Sequence, residues 1–128
     1  MKVLLDTCAF LWLVTDDPKL SSLAKEIFLN TDNELLLSAV TGYEIAVKYS
    51  LGKLHLAEPP KEFIANRIQA NAFTELPVSM THALALQNMP PHHKDPFDRL
   101  LVAQAMVNQI PLLSGDQQLS AYAIERLW

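Results

Sequence analysis

Lys2-Val3-Leu4-Leu5-Asp6-Thr7 decides the fold. A short apolar run is closed by a carboxylate, and a helical pattern from Ala9 to Val14 follows at once. The same grammar returns twice. Glu34 to Ser38 carries Leu35-Leu36-Leu37 into a helix from about Val40 to Leu51, which Gly52 can stop. Pro111 to Ser114 carries Leu112-Leu113 into Gly115-Asp116 and a last helical turn near Leu119 to Ala123. Runs of this length, apolar at every position, suit strands covered on both faces, as parallel strands are.

Outward from these runs, Leu20, Leu23, Ala24, Ile27 and Phe28 keep the spacing of one helix face, capped by Ser21 or Ser22. Pro59-Pro60 breaks the chain before a helix over Lys61 to Asn71. Phe73 to Val78 reads as a strand weakened by Pro77, which cannot donate in a ladder. Ser79 caps a helix through Leu86, and Asn88 to Lys94 reads as a loop. Pro96 to Asn108 is a helix capped by Asp95, and Ile124 to Trp128 an edge strand. Strands alternating with helices imply a Rossmann-like three-layer α/β/α sandwich on a parallel sheet of about five strands, with right-handed crossovers.

Four carboxylates fall where these elements meet: Asp6, Glu44, Asp98 and Asp116. In an open parallel sheet the strand ends and following helix starts share the edge where ligands bind. Acids gathered there repel one another unless protons or divalent ions intervene. Each also has an ordinary job. Asp6 is a helix cap; Glu44 can pair with Lys48 one turn on; Asp98 favours the helix dipole; Asp116 fits a turn. Ser114 is either a capping hydroxyl or a group that orients a ligand. On a helical wheel Val40, Tyr43, Val47 and Leu51 form an apolar stripe with Glu44 at its edge. The coincidence of four acids at one edge argues for a metal-dependent enzyme.

The length of 128 residues is that of one domain, spanning 1–128, with room for a real core. Fourteen acids against ten bases give a net charge of −4. Without the four site acids the remainder balances, so the charge does not exclude a polyanionic substrate. The slightly positive mean hydropathy suggests either a surface covered by a partner or a large parallel core. No secretory leader or membrane span is expected, and a solitary cysteine points to a reducing cytoplasm. Cys8 is read as a small buried filler rather than a nucleophile. His92-His93 completes no zinc spacing, and is read as a mobile loop that touches substrate. Trp12, Tyr43, Tyr49 and Trp128 are expected in the core or at an interface.

Taken together, Leu4-Leu5-Asp6-Thr7, Leu37-Ser38-Ala39-Val40, Tyr43-Glu44-Ile45-Ala46, Leu51-Gly52-Lys53-Leu54, His92 to Leu101 and Leu113-Ser114-Gly115-Asp116 resemble a PIN domain. The nearest group is that of the VapC toxin nucleases of toxin–antitoxin pairs, and His92 to Leu101 is the most specific segment. One departure is Tyr43, where this group often has tryptophan. The resemblance implies a metal-dependent ribonuclease with Asp6, Glu44, Asp98 and Asp116 as its acidic quartet and Ser114 as the associated hydroxyl. It also implies Mg²⁺ or Mn²⁺ as cofactor, an antitoxin partner and a homodimer. Cleavage would leave 5′-phosphate and 3′-hydroxyl ends. A receiver-type phosphoacceptor would want an acid pair after the first strand and a lysine after the last. A haloacid-dehalogenase phosphatase would want an aspartate where Cys8 stands, and a PIN fold kept only for binding would not need the whole quartet.

Overall fold

A computed structural model describes residues 1–128. Five parallel strands form one sheet in the order β3-β2-β1-β4-β5: β1 (Lys2–Leu5), β2 (Glu34–Ser38), β3 (Thr74–Leu76), β4 (Leu112–Leu113) and β5 (Arg126–Leu127). Six helices connect them: α1 (Thr7–Thr15), α2 (Ser22–Leu29), α3 (Ala39–Ser50), α4 (Pro60–Asn71), α5 (Met80–Ala85) and α6 (Pro96–Asn108). Short 3-10 turns cover Leu86–Asn88 and Gln117–Ala121. The Rossmann-like three-layer reading stands.

Side-chain alternation along the strands explains the layers. Val3, Leu5, Leu35, Leu37 and Leu113 face one way, onto Ala9, Phe10 and Leu13 of α1, Ala24 and Ile27 of α2, Ile45 of α3 and Phe63 of α4. Leu4, Leu36 and Leu112 face the other way, onto Leu101, Val102 and Ala105 of α6. Both faces of the central strands are therefore dry, which is why their sequence is apolar without a break. Phe10 anchors the first face, edge-on to Phe63 at 6.3 Å and to Phe73 at 5.8 Å between ring centroids. No helix is long and apolar enough to cross a membrane.

Element boundaries follow local chemistry. Ser21 accepts from the Ala24 N–H and is the cap of α2. β3 stops at Leu76, before Pro77, whose carbonyl accepts from the Gln104 side chain instead of a ladder partner. The turn after β4 starts at Gln117, two residues before Leu119, because Asp116 caps it by accepting from the Gln118 N–H. On the α6 side Ser38 donates to Gln104 at 2.5 Å and His82 Nε2 lies 2.8 Å from Asn108 Oδ1, while Arg99 Nε is buried without a partner.

Two sequence readings are corrected. Cys8 is exposed, not a buried filler, since it lies on the outer side of the first turn of α1 between buried Thr7 and Ala9. Partial desolvation of the thiol against its neighbours, then the nearby charges of Asp6, Glu44 and Asp98, push it up to about 11, so it is no thiolate nucleophile either. On α3 the buried face is Val40, Thr41, Glu44 and Ile45, while Tyr43 and Leu51 are 65% and 61% exposed. Glu44 thus belongs to the buried face itself, and Tyr43 and Leu51 lie outside it.

Candidate active site

Strand order reverses between β1 and β4. From β1 the chain builds outward through β2 and β3; β4 returns to the other side of β1. The crevice beyond the strand ends at such a switch point is where open α/β sheets bind ligands. Asp6 leaves β1 and Asp116 leaves the adjacent β4, so the topology sets these two acids side by side. The other two come from helices that begin at the same edge: Glu44 from the second turn of α3, Asp98 from the first turn of α6.

Local chemistry holds each in place. Asp6 is the cap of α1, accepting from the Ala9 N–H at 2.7 Å. Asp95 caps α6 by accepting from the N–H groups of Phe97 and Asp98, at 2.8 and 3.2 Å, which leaves the Asp98 carboxylate free to point into the crevice. Ser114, fully buried, accepts from the Asp116 N–H at 3.1 Å. Between them Gly115 meets the indole of Trp128, and a Cβ there would lie 3.0 Å from the ring. The glycine reflects that close approach. Glu44 accepts from the Thr7 hydroxyl at 2.7 Å and from the Lys48 ammonium at 2.5 Å. Thr7 also lies 3.1 Å from the Thr41 hydroxyl.

His93 joins the acids themselves, where the sequence reading places the His92-His93 loop only as one that touches substrate. The Asp95 N–H donates to His93 Nδ1 at 3.0 Å, so the neutral ring carries its proton on Nε2. That Nε2 lies 2.8 Å from Asp116 Oδ2 and 3.6 Å from Asp98 Oδ2. The His93 N–H donates to the Tyr122 hydroxyl at 3.0 Å, and the His92 ring stacks edge-on to Tyr122 at 5.1 Å. The histidine loop is tethered at its backbone and at both ring nitrogens. The available signal was the position of His93 two residues before the Asp95 cap, on a short segment stiffened by Pro90-Pro91 and Pro96.

Electrostatically the acids are felt in common. Burial, then the charges of Asp95, Asp6 and Glu44, push the Asp98 carboxyl up to about 7, with His93 pulling it back. Burial likewise pushes Asp6 up to about 6, offset by bonding to the Ser114 hydroxyl and the Ala9 amide and reinforced by Glu44 and Asp116. Carboxyls that hold protons near neutrality mark a site with more negative charge than its surroundings compensate. The convergence is nonetheless graded. His93, Asp98 and Asp116 bring one ligand atom each within 4.8 Å of one another, whereas Asp6 and Glu44 stand outside that group of three. Carboxylate oxygens with one imidazole are a donor set that fits a divalent cation such as Mg²⁺ or Mn²⁺, the imidazole being more at home with manganese.

A cluster of buried and half-buried acids at the switch point of a five-stranded parallel sheet defines an α/β protein of the PIN class. The chain belongs to the PIN domain family, which it matches over residues 3–125. Among characterised proteins it is similar to Ribonuclease VapC16 of Mycobacterium tuberculosis (strain ATCC 25618 / H37Rv), with 34% identity over 58 residues. That stretch covers 45% of this chain and 41% of the other protein, less than half of either. Among solved structures, VapBC2 from Rickettsia felis bound to a DNA fragment from its promoter superimposes with a TM-score of 0.69 at 12% identity. It covers 99% of this chain and 98% of the matched one. FitAcB from Neisseria gonorrhoeae gives 0.68 at 16% identity, covering 98% and 96%. DNA-bound VapBC from Salmonella typhimurium gives 0.66 at 20%, covering 99% and 97%. At these identities the likeness is one of fold.

Proposed function

We propose that the protein is a divalent-metal-dependent ribonuclease, the toxin of a toxin–antitoxin pair. The observation that carries the reading is the state of Asp98. It is a carboxyl aimed into the crevice from a helix that Asp95 already caps, and raised to about 7 by burial and then by the charges of Asp95, Asp6 and Glu44. A residue serving only the helix dipole has no use for such surroundings. The family and the name of the Mycobacterium relative support the nuclease reading, and the titles of the Rickettsia and Salmonella structures support the toxin–antitoxin setting.

Asp98 and Asp116 would hold the ion, with Asp6 completing the carboxylate set and His93 beside them. Bound there, a divalent ion lowers the pKa of a coordinated water and relieves charge on the phosphate. The chain's own groups supply the rest. Thr7 and Lys48 fix the Glu44 carboxylate toward the crevice, where it can orient the attacking water. Ser114 keeps the Asp116 backbone turned so that Asp116 stays next to Asp6. The His93 Nε2–H faces Asp116 and is placed to donate to a phosphate oxygen once that carboxylate is engaged. Hydrolysis by water, with no 2′-oxygen attack, would leave 5′-phosphate and 3′-hydroxyl ends.

The exposed apolar residues Leu23 and Leu29 of α2, Tyr43 of α3 and Leu51 at its C-terminal cap support a protein partner, either an antitoxin segment or a second copy of the chain. The test is incubation of the purified protein with structured and unstructured RNAs in Mg²⁺, Mn²⁺ or EDTA. The expected outcome is cleavage with metal alone, lost by about 10²-fold or more in Asp98→Asn and largely kept in Asp95→Asn, since asparagine also caps helices. Equal activities at both neighbours would mean that the site has been misplaced.

A further inference from the structure

Around the four acids the compensating charge is uneven. Glu44 is 5% exposed, stands outside the group formed by His93, Asp98 and Asp116, and has both oxygens engaged. Oε1 accepts from Thr7 and Oε2 from Lys48. Lys48 comes from the next turn of α3, and no other lysine or arginine forms an ion pair with any of the four acids. Its side chain remains 44% exposed although the Glu44 side chain it reaches is 6% exposed. The plain alternative is a helix-surface pair with the favourable Glu-before-Lys order. Such pairs join two solvated groups and add little. Here one partner is buried, and the lysine leans inward to reach it.

A fixed ammonium on a buried carboxylate does electrostatically what a second divalent ion would do. It cancels one negative charge and occupies the oxygen that would otherwise be open to the crevice. Sites with two ions keep them about 3.5–4 Å apart and need carboxylates enough for both. In this chain the carboxylate on the α3 side has been given to a lysine. We propose that Lys48 is a positioning residue whose ammonium takes the place of a second divalent ion, so that the site binds a single ion on the Asp98–Asp116 side. The inference rests on the metal-nuclease reading above. Glu44 then touches no ion and is held by Thr7 and Lys48 where it can orient water, and neutralising Lys48 converts it into a ligand.

The experiment counts Mn²⁺ bound per chain, by electron paramagnetic resonance of the free ion and by calorimetry, on folded full-length protein at neutral pH. Lys48→Gln keeps a hydrogen bond to Glu44 without the charge, Lys48→Met serves as a second neutral variant, and Lys48→Arg keeps the charge. Wild type and Lys48→Arg should bind one ion, and the neutral variants two. The double change Lys48→Gln/Glu44→Gln should return to one, because the added site is made of Glu44. One ion in every variant, or a second that survives the double change, overturns the role of Lys48 while leaving the nuclease reading intact. Two ions in wild type overturns it as well. No ion bound by wild type at millimolar Mn²⁺ defeats the metal-nuclease reading, and this inference falls with it.

Discussion

Replacing Asp98 by asparagine should make the metal-free protein more stable at alkaline pH, although a helix loses a favourable first-turn acid. In the folded chain the carboxyl is raised from 3.8 to about 7 by burial and by Asp95, Asp6 and Glu44. Between those values the native state binds a proton that the unfolded state has released. Stability of the wild type therefore falls as pH rises from about 4 to above 7, and the ionised form carries the cost thereafter. At about 1.36 kcal/mol per tenfold change in proton affinity, the ceiling is roughly 4 kcal/mol. The side chain is 22% exposed, and solvent screening reduces that to about 1–2 kcal/mol. Loss of the dipole interaction offsets only about 0.3–1 kcal/mol. The assay is urea unfolding in EDTA at several pH values between about 4 and 8.5. Asp98→Asn should track the wild type at the acid end and exceed it at the alkaline end. A variant less stable than wild type at alkaline pH, or a difference independent of pH, would refute the claim that the acids converge on Asp98.

Mn²⁺ should raise the melting temperature of the wild type, because an ion that binds only the folded chain stabilises it by mass action; the shift should be absent in Asp6→Asn/Asp98→Asn. Thr7→Val removes the hydroxyl that donates to buried Glu44 at 2.7 Å, and should cost about 1–3 kcal/mol in urea unfolding, against a few tenths for Thr15→Val on the exposed end of α1.

The sequence by itself determined the sheet and the edge. Val3-Leu4-Leu5, Leu35-Leu36-Leu37 and Leu112-Leu113 announce strands buried on both faces, because each is a short apolar run closed at once by a turn or cap residue. The acids at their ends announce a crevice, because chain direction and parallel pairing leave all strand ends on one side. Caps at Ser21, Asp6, Asp95 and Ser79 were equally readable, since each acts within three residues of itself. What only the tertiary structure decided are contacts across long stretches of chain. Thr7 lies 37 positions from Glu44, and His93 lies 23 from Asp116. The wheel of α3 misjudged its inward face for the same reason. A hydropathy pattern ranks side chains by their liking for water, but the inward face of α3 is chosen by what waits there. Thr7, which bonds both, and Lys48 hold Thr41 and Glu44 inside, and Tyr43 and Leu51 are left mostly in solvent. Caps and breakers fix where an element begins and ends; which of its faces is needed depends on partners that only folding brings near.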